Sequence, residues 1–143
     1  MPYHYLENIA IADTAFEAWG DTVEDMFVAA ADATMNVMVG DLGSIRARER
    51  RHLHVEDAQI DMLLFQVLQE LIYFKDAERL LLRILSVEIR QSEGQLAAAA
   101  EASGEQIDPE RHDLIVDVKA VTLHRFRVER THRGWEATVV LDI

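Results

Sequence analysis

The run Ile60-Asp61-Met62-Leu63-Leu64-Phe65-Gln66-Val67-Leu68-Gln69-Glu70-Leu71-Ile72 decides the fold class. Its apolar positions Ile60, Leu63, Leu64, Val67, Leu68, Leu71 and Ile72 recur at three- and four-residue intervals without a miss, which is the spacing of one helical face, and Asp57 stands ready to cap it. An earlier stripe, Val23, Phe27, Ala30, Ala31, Thr34, Val37 and Met38, follows a cap at Asp21 or Thr22, with Glu24 or Asp25 to reach back, and stops at Gly40-Asp41-Leu42-Gly43. Elsewhere the pattern turns to alternation. Residues 3–5, 14–19, 44–55, 95–102, 118–130 and 135–141 read as strands, with turns at Ser92-Glu93-Gly94 and His132-Arg133-Gly134 and a loop over 104–113; the apolar run 80–89 could continue the second helix, but the alternation Val87-Glu88-Ile89-Arg90-Gln91 makes it the first strand of a hairpin. Ala97 to Ala100 favour helix by local propensity, but the alternation before Glu93-Gly94 makes them the return strand of a hairpin. The expected architecture is a single α+β domain over residues 1–143, its two amphipathic helices each burying one stripe against mostly antiparallel β-sheet.

At 143 residues such a chain buries roughly two thirds of its unfolded surface. Half the residues are hydrophobic and 28% are charged, the composition of an ordinary globular domain. No apolar stretch is long enough to span a bilayer and no secretion signal opens the chain, so a cytoplasmic location is expected. The absence of cysteine removes thiolate metal sites and thiol nucleophiles, leaving oxygen and imidazole chemistry. A net charge of −12 repels phosphate and anionic lipid and favours cations or basic partners. One local exception is the cluster Arg46, Arg48, Arg50, Arg51, His52 and His54.

The acidic residues that carry most information are Asp13, after Ala10-Ile11-Ala12, and Asp142, beside Ile143 at the end of the sequence, an end expected to be functional. Should their strands be neighbours, the two side-chain carboxylates and the terminal carboxylate crowd together, and such an all-oxygen cluster suits calcium, magnesium or manganese rather than zinc. The plain alternative is a turn-capping Asp13 and a solvated Asp142.

A wider set of residues bears on that choice. Ala12-Asp13, Gly20-Asp21-Thr22-Val23-Glu24-Asp25-Met26-Phe27, Gly104-Glu105 with Asp108 and His112, Val118-Lys119-Ala120-Val121-Thr122, Trp135 and the final Asp142-Ile143 occur in an order and spacing that resembles the archease family throughout the chain. That resemblance implies a small, non-catalytic cofactor of the RtcB-type tRNA-splicing RNA ligase, which promotes guanylylation of the ligase. It implies a divalent metal, typically calcium, held through Asp13, Asp142 and the last residue, Ile143, and a part for Lys119 in ligase activation. Contact with RNA is expected only within the ligase complex. Two positions depart from the family pattern. Many relatives carry a histidine within the window that here reads Asn8-Ile9-Ala10-Ile11-Ala12, leaving Asn8 or His4 to stand in, and Leu123 replaces an aromatic.

Rival classes are a chaperone or specificity modulator of another RNA-processing enzyme, such as a tRNA methyltransferase, and a hydrolase in which Asp13, Asp142 and a histidine such as His124 hold a metal that activates water. His124 is otherwise expected to be a hydrogen-bonded structural residue, His112 to fix its loop, Trp19 and Trp135 to be core aromatics, and His52 with His54 to lie on a solvated strand face. That cationic stripe could instead touch RNA or the ligase.

Overall fold

A computed structural model describes residues 2–7 and 13–143, and it contains both expected helices and all seven expected strands, with shifted boundaries. In chain order they are β1 (Tyr3–Leu6), β2 (Asp13–Gly20), α1 (Val23–Met38), β3 (Glu49–Asp57), α2 (Ile60–Glu78), β4 (Leu80–Ser92), β5 (Gln95–Gln106), β6 (Ala120–Thr131) and β7 (Gly134–Asp142). The two ends of the chain build one antiparallel sheet, in the order β1-β2-β7-β6, and the middle builds another, β3-β5-β4. Among the described residues no strand of one sheet approaches a strand of the other, because both helices lie between them.

That sandwich explains the composition of α1. It contacts β2 on one side and β4 on the other, and ten of its sixteen residues are buried, four of them the alanines at 29, 30, 31 and 33. Small side chains let two sheets close on one helix. The expectation of a single buried stripe therefore fails for α1, while α2 keeps its stripe, Leu63, Leu64, Val67, Leu68, Leu71 and Ile72. Thr22 is the N-cap of α1, its side chain accepting the Asp25 N–H at 3.1 Å.

Local boundaries differ where a turn replaced the expected element. The N-cap of α2 is Gln59, not Asp57; the Asp57 carboxylate accepts the Gln59 N–H at 3.0 Å and so shapes the approach to the helix. Residues 44–48 are not strand, since a short 3₁₀ turn at Leu42–Ser44, held by Asp41, delays β3 until Glu49. The alanine run does form a strand, and the hairpin closes through Glu93 and Gly94, whose φ angles of 52° and 77° are those of a two-residue type I′ turn. β5 continues to Gln106, taking in the first residues of the expected loop. Gly104 is required there: a Cβ would lie 1.7 Å from the Leu81 carbonyl oxygen of β4.

Gly104→Ala is expected to destabilise the fold by at least ~1–3 kcal/mol, the range for overpacking, because the obstacle is backbone; urea denaturation measures it.

Candidate functional site at the paired strand ends

Antiparallel register places Asp13 directly across from Asp142, and Asp142 directly across from Ala120. Directly opposed residues share a sheet face with Cβ atoms about 5 Å apart, so the two carboxylates are brought together from opposite ends of the chain. Lys119 N–H donates to the Asp142 carbonyl at 2.8 Å, which fixes Lys119 at the same corner with its side chain exposed. The ion pairs of the described residues include none to Asp13, Asp142 or Lys119. Opposed like charges without a compensating cation are destabilising in a sheet, and this donor set fits a hard cation. No three Asp, Glu or His side chains converge among the described residues, and the residue next to Asp142 in sequence, Ile143, offers main-chain oxygens at this corner. The window 8–12, with Asn8, lies outside the described residues. His4, the other stand-in, is bound to Glu17 at 2.6 Å.

The same face of β2 and β7 carries Ala15, Glu17, Thr138 and Val140, and together with Leu6 they floor a cavity of about 450 Å³. Its far wall is β6, which leaves the β7 ladder after Thr122 and rejoins it at Arg127. Gln69 of α2 accepts the Val121 N–H at 3.0 Å next to this departure. The excursion turns at Arg125, whose φ of 56° is left-handed, and the buried Thr122 hydroxyl has no partner among the described residues. The bulge also breaks the alternation that assigned His124 to a packed face. His124 is exposed, has no hydrogen bond among the described residues, and is not the structural histidine expected.

A residue the sequence reading missed anchors the corner. Lys75, in the last turn of α2, is 5% exposed, and its Nζ donates to the Asp117 carboxylate at 2.6 Å and to the Val118 carbonyl at 2.7 Å, with Asp76 also at 2.6 Å. Lys75 thus ties down the two residues before Lys119. The signal was a lysine within the apolar stripe of α2, which snorkelling ordinarily explains away.

The Gly104-Glu105…Asp108…His112 motif forms a second network, remote in topology from the carboxylate pair. Glu105 is buried and accepts the Arg46 N–H at 2.7 Å, with Arg111 and the His112 Nε2 (3.0 Å) on the same oxygen. The Asp108 N–H donates to His112 Nδ1 at 2.9 Å, so the ring hydrogen sits on Nε2 and points at Glu105. His112 therefore fixes its loop, as expected. Burial alone would raise the Glu105 carboxyl, but the bonds from Arg111, the Arg46 backbone and His112 outweigh it and hold it down at about 2. His52 and His54 are exposed and each bonded to a glutamate, Glu101 and Glu56, consistent with a solvated face. Neither tryptophan is a fully buried core residue: the Arg133 guanidinium covers Trp19 at 4.2 Å and Arg130 lies over Trp135 at 5.5 Å.

Two helices enclosed between antiparallel sheets, with an acidic pair where β2 meets β7 and a lysine beside it, define a small α+β protein. Residues 3–143 match the sequence profile of the Archease protein family (MTH1598/TM1083). The protein archease of Methanosarcina acetivorans is 37% identical over 142 residues, covering 99% of this chain and 95% of the relative; that of Pyrococcus abyssi is 35% identical over 133 residues, covering 92% and 93%. The solution structure of protein 1598 from Methanobacterium thermoautotrophicum superposes with a TM-score of 0.85 at 30% identity over 99% of each chain. A Thermotoga maritima archease described as a possible chaperone gives a TM-score of 0.54 at 17% identity over 98% of each chain, a likeness of fold. The chain belongs to the archease family.

Two outcomes follow from the geometry. In a chelator, Asp142→Asn is expected to raise thermal stability slightly, by ~0.2–1 kcal/mol, because it removes the repulsion from Asp13. Glu105 contributes stability that is complete above its ordinary value of 4.5 and is lost as pH falls from there towards about 2. Glu105→Gln is expected to be less stable than wild type at pH 7 and to show a flatter acid limb, read by thermal unfolding across pH 2–6.

Proposed function

We propose that this chain is a non-catalytic activator of an RtcB-type tRNA-splicing RNA ligase, promoting guanylylation of the ligase, and that it binds a hard divalent cation, calcium by its family resemblance, through Asp13, Asp142 and Ile143. The observation that carries this reading is the direct cross-strand pairing of Asp13 with Asp142 beside Lys119, in a chain of the archease family. Side-chain carboxylates held on two adjacent strands and a main-chain oxygen of Ile143 supply hard oxygen donors; the cation supplies charge neutralisation at the strand ends. Lys119, exposed and unpaired among the described residues, offers one positive group at the margin of the acidic corner, suited to a phosphate or a carboxylate of the ligase. Lys75 holds the backbone that carries it.

The test is guanylylation of the ligase with and without this protein, in calcium and in chelator. Wild type is expected to accelerate the reaction in calcium; Asp142→Ala is expected to lose both calcium binding by calorimetry and acceleration while unfolding at the wild-type temperature or above in chelator. Lys119→Ala is expected to bind calcium normally and to accelerate poorly. Full acceleration by Asp142→Ala would refute the metal's part, and no acceleration by wild type would refute the ligase.

A further inference from the structure

Segment 113–117, between the second network and Lys119, exposes three consecutive large apolar residues: Leu114 at 43%, Ile115 at 58% and Val116 at 41% of their surface. Exposed loops of this length are normally polar, because water then solvates both backbone and side chains. This one is rigidly fastened instead. Gly40 N–H donates to the Asp113 carbonyl and Ile115 N–H to the Met38 carbonyl, both at 2.9 Å, Leu114 bridges Val39, and Lys75 clamps Asp117 and Val118. Ile115 and Val116 form a ridge between two apolar grooves. One, of about 230 Å³, is floored by Met38 and Leu81; the other, of about 300 Å³, runs past Tyr5 and Val37 to Ile143. The second groove thus ends at the residue that follows Asp142 in sequence, on the sheet face opposite to the carboxylate pair. The segment itself carries two exposed carboxylates, Asp113 and Asp117, the second paired with Lys75, and no basic residue before Lys119.

We propose that this ridge and its two grooves are a protein-docking surface, and that its occupant is a segment of the partner protein that presents apolar side chains flanked by lysine or arginine. A preorganised apolar patch with a polar rim marks a protein interface, and the acidic rim on a chain of net charge −12 selects a basic partner. The inference rests on the ligase reading above: docking at the ridge delivers the acidic corner and Lys119 to the ligase.

The experiment measures association of the RtcB-type ligase by titration calorimetry, together with guanylylation. Ile115→Asp with Val116→Asp is expected to weaken association by roughly thirtyfold or more, the effect of removing two interface anchors, without change in melting temperature or calcium binding. Leu85→Asp, a control on β4 where the side chain is 52% exposed, is expected to associate as wild type does. Wild-type association is expected to weaken as salt rises. If wild type binds and accelerates the ligase but the double variant binds equally well, the docking surface is wrong and the ligase reading stands. Should wild type neither bind nor accelerate, the ligase reading fails and this partner with it. A wild-type dimer in sedimentation that the double variant dissolves would assign the ridge to a second copy and overturn the proposal, and salt-independent association would overturn the basic flanks.

Discussion

The antiparallel pairing of β2 with β7 is the constraint to which the molecule's other features answer. It brings residues from the two ends of the chain into the centre of one sheet, so that β1 and β6 become the flanks and the middle of the chain is left to form a separate sheet. The helices have to fill the space between the sheets, which is why α1 is narrow and rich in alanine and why α2 carries larger side chains on one stripe only. The register of that pairing also decides which residues meet at its end, and a slip by one would send Asp142 to the opposite face.

A tension runs through this arrangement. Strand pairing favours the register because Phe16, Ala18, Ala137, Val139 and Leu141 all reach the core, yet the same register opposes two carboxylates. Burial of five apolar side chains, each worth on the order of 1–3 kcal/mol for those larger than alanine, outweighs a repulsion of less than about 1 kcal/mol. The fold therefore holds an unfavourable electrostatic contact in place, the one that the proposed cation would relieve. Stability is concentrated away from the corner proposed to bind the cation. Lys75 beside the corner and the Glu105 network away from it pin irregular backbone where no sheet supports it.

Most of the element order was legible because the periodicities are clean: the α2 stripe has no interruption, and the β4–β5 hairpin is announced by Glu93-Gly94 despite its alanines. What the alternation could not show was a departure from the ladder, so the bulge in β6 turned His124 outward against expectation. Helix burial on two sides was equally hidden, since alanine is compatible with exposure as well as with tight packing. The candidate site was legible in its carboxylates, whose residue types advertise their chemistry. Lys75 was not, because a lysine on a helix ordinarily reads as surface, and its partners Asp117 and Val118 lie more than forty positions away.

The closing of the chain's ends on each other also has a kinetic side. β3, α2, β4 and β5 are consecutive and make contacts shorter in sequence, whereas β2, besides its neighbour β1, pairs with a strand well over a hundred residues downstream. Joining distant segments costs more loop entropy and slows the step that does so. On that ground the central unit is expected to order first and the β2–β7 pairing, with its two opposed carboxylates, to follow.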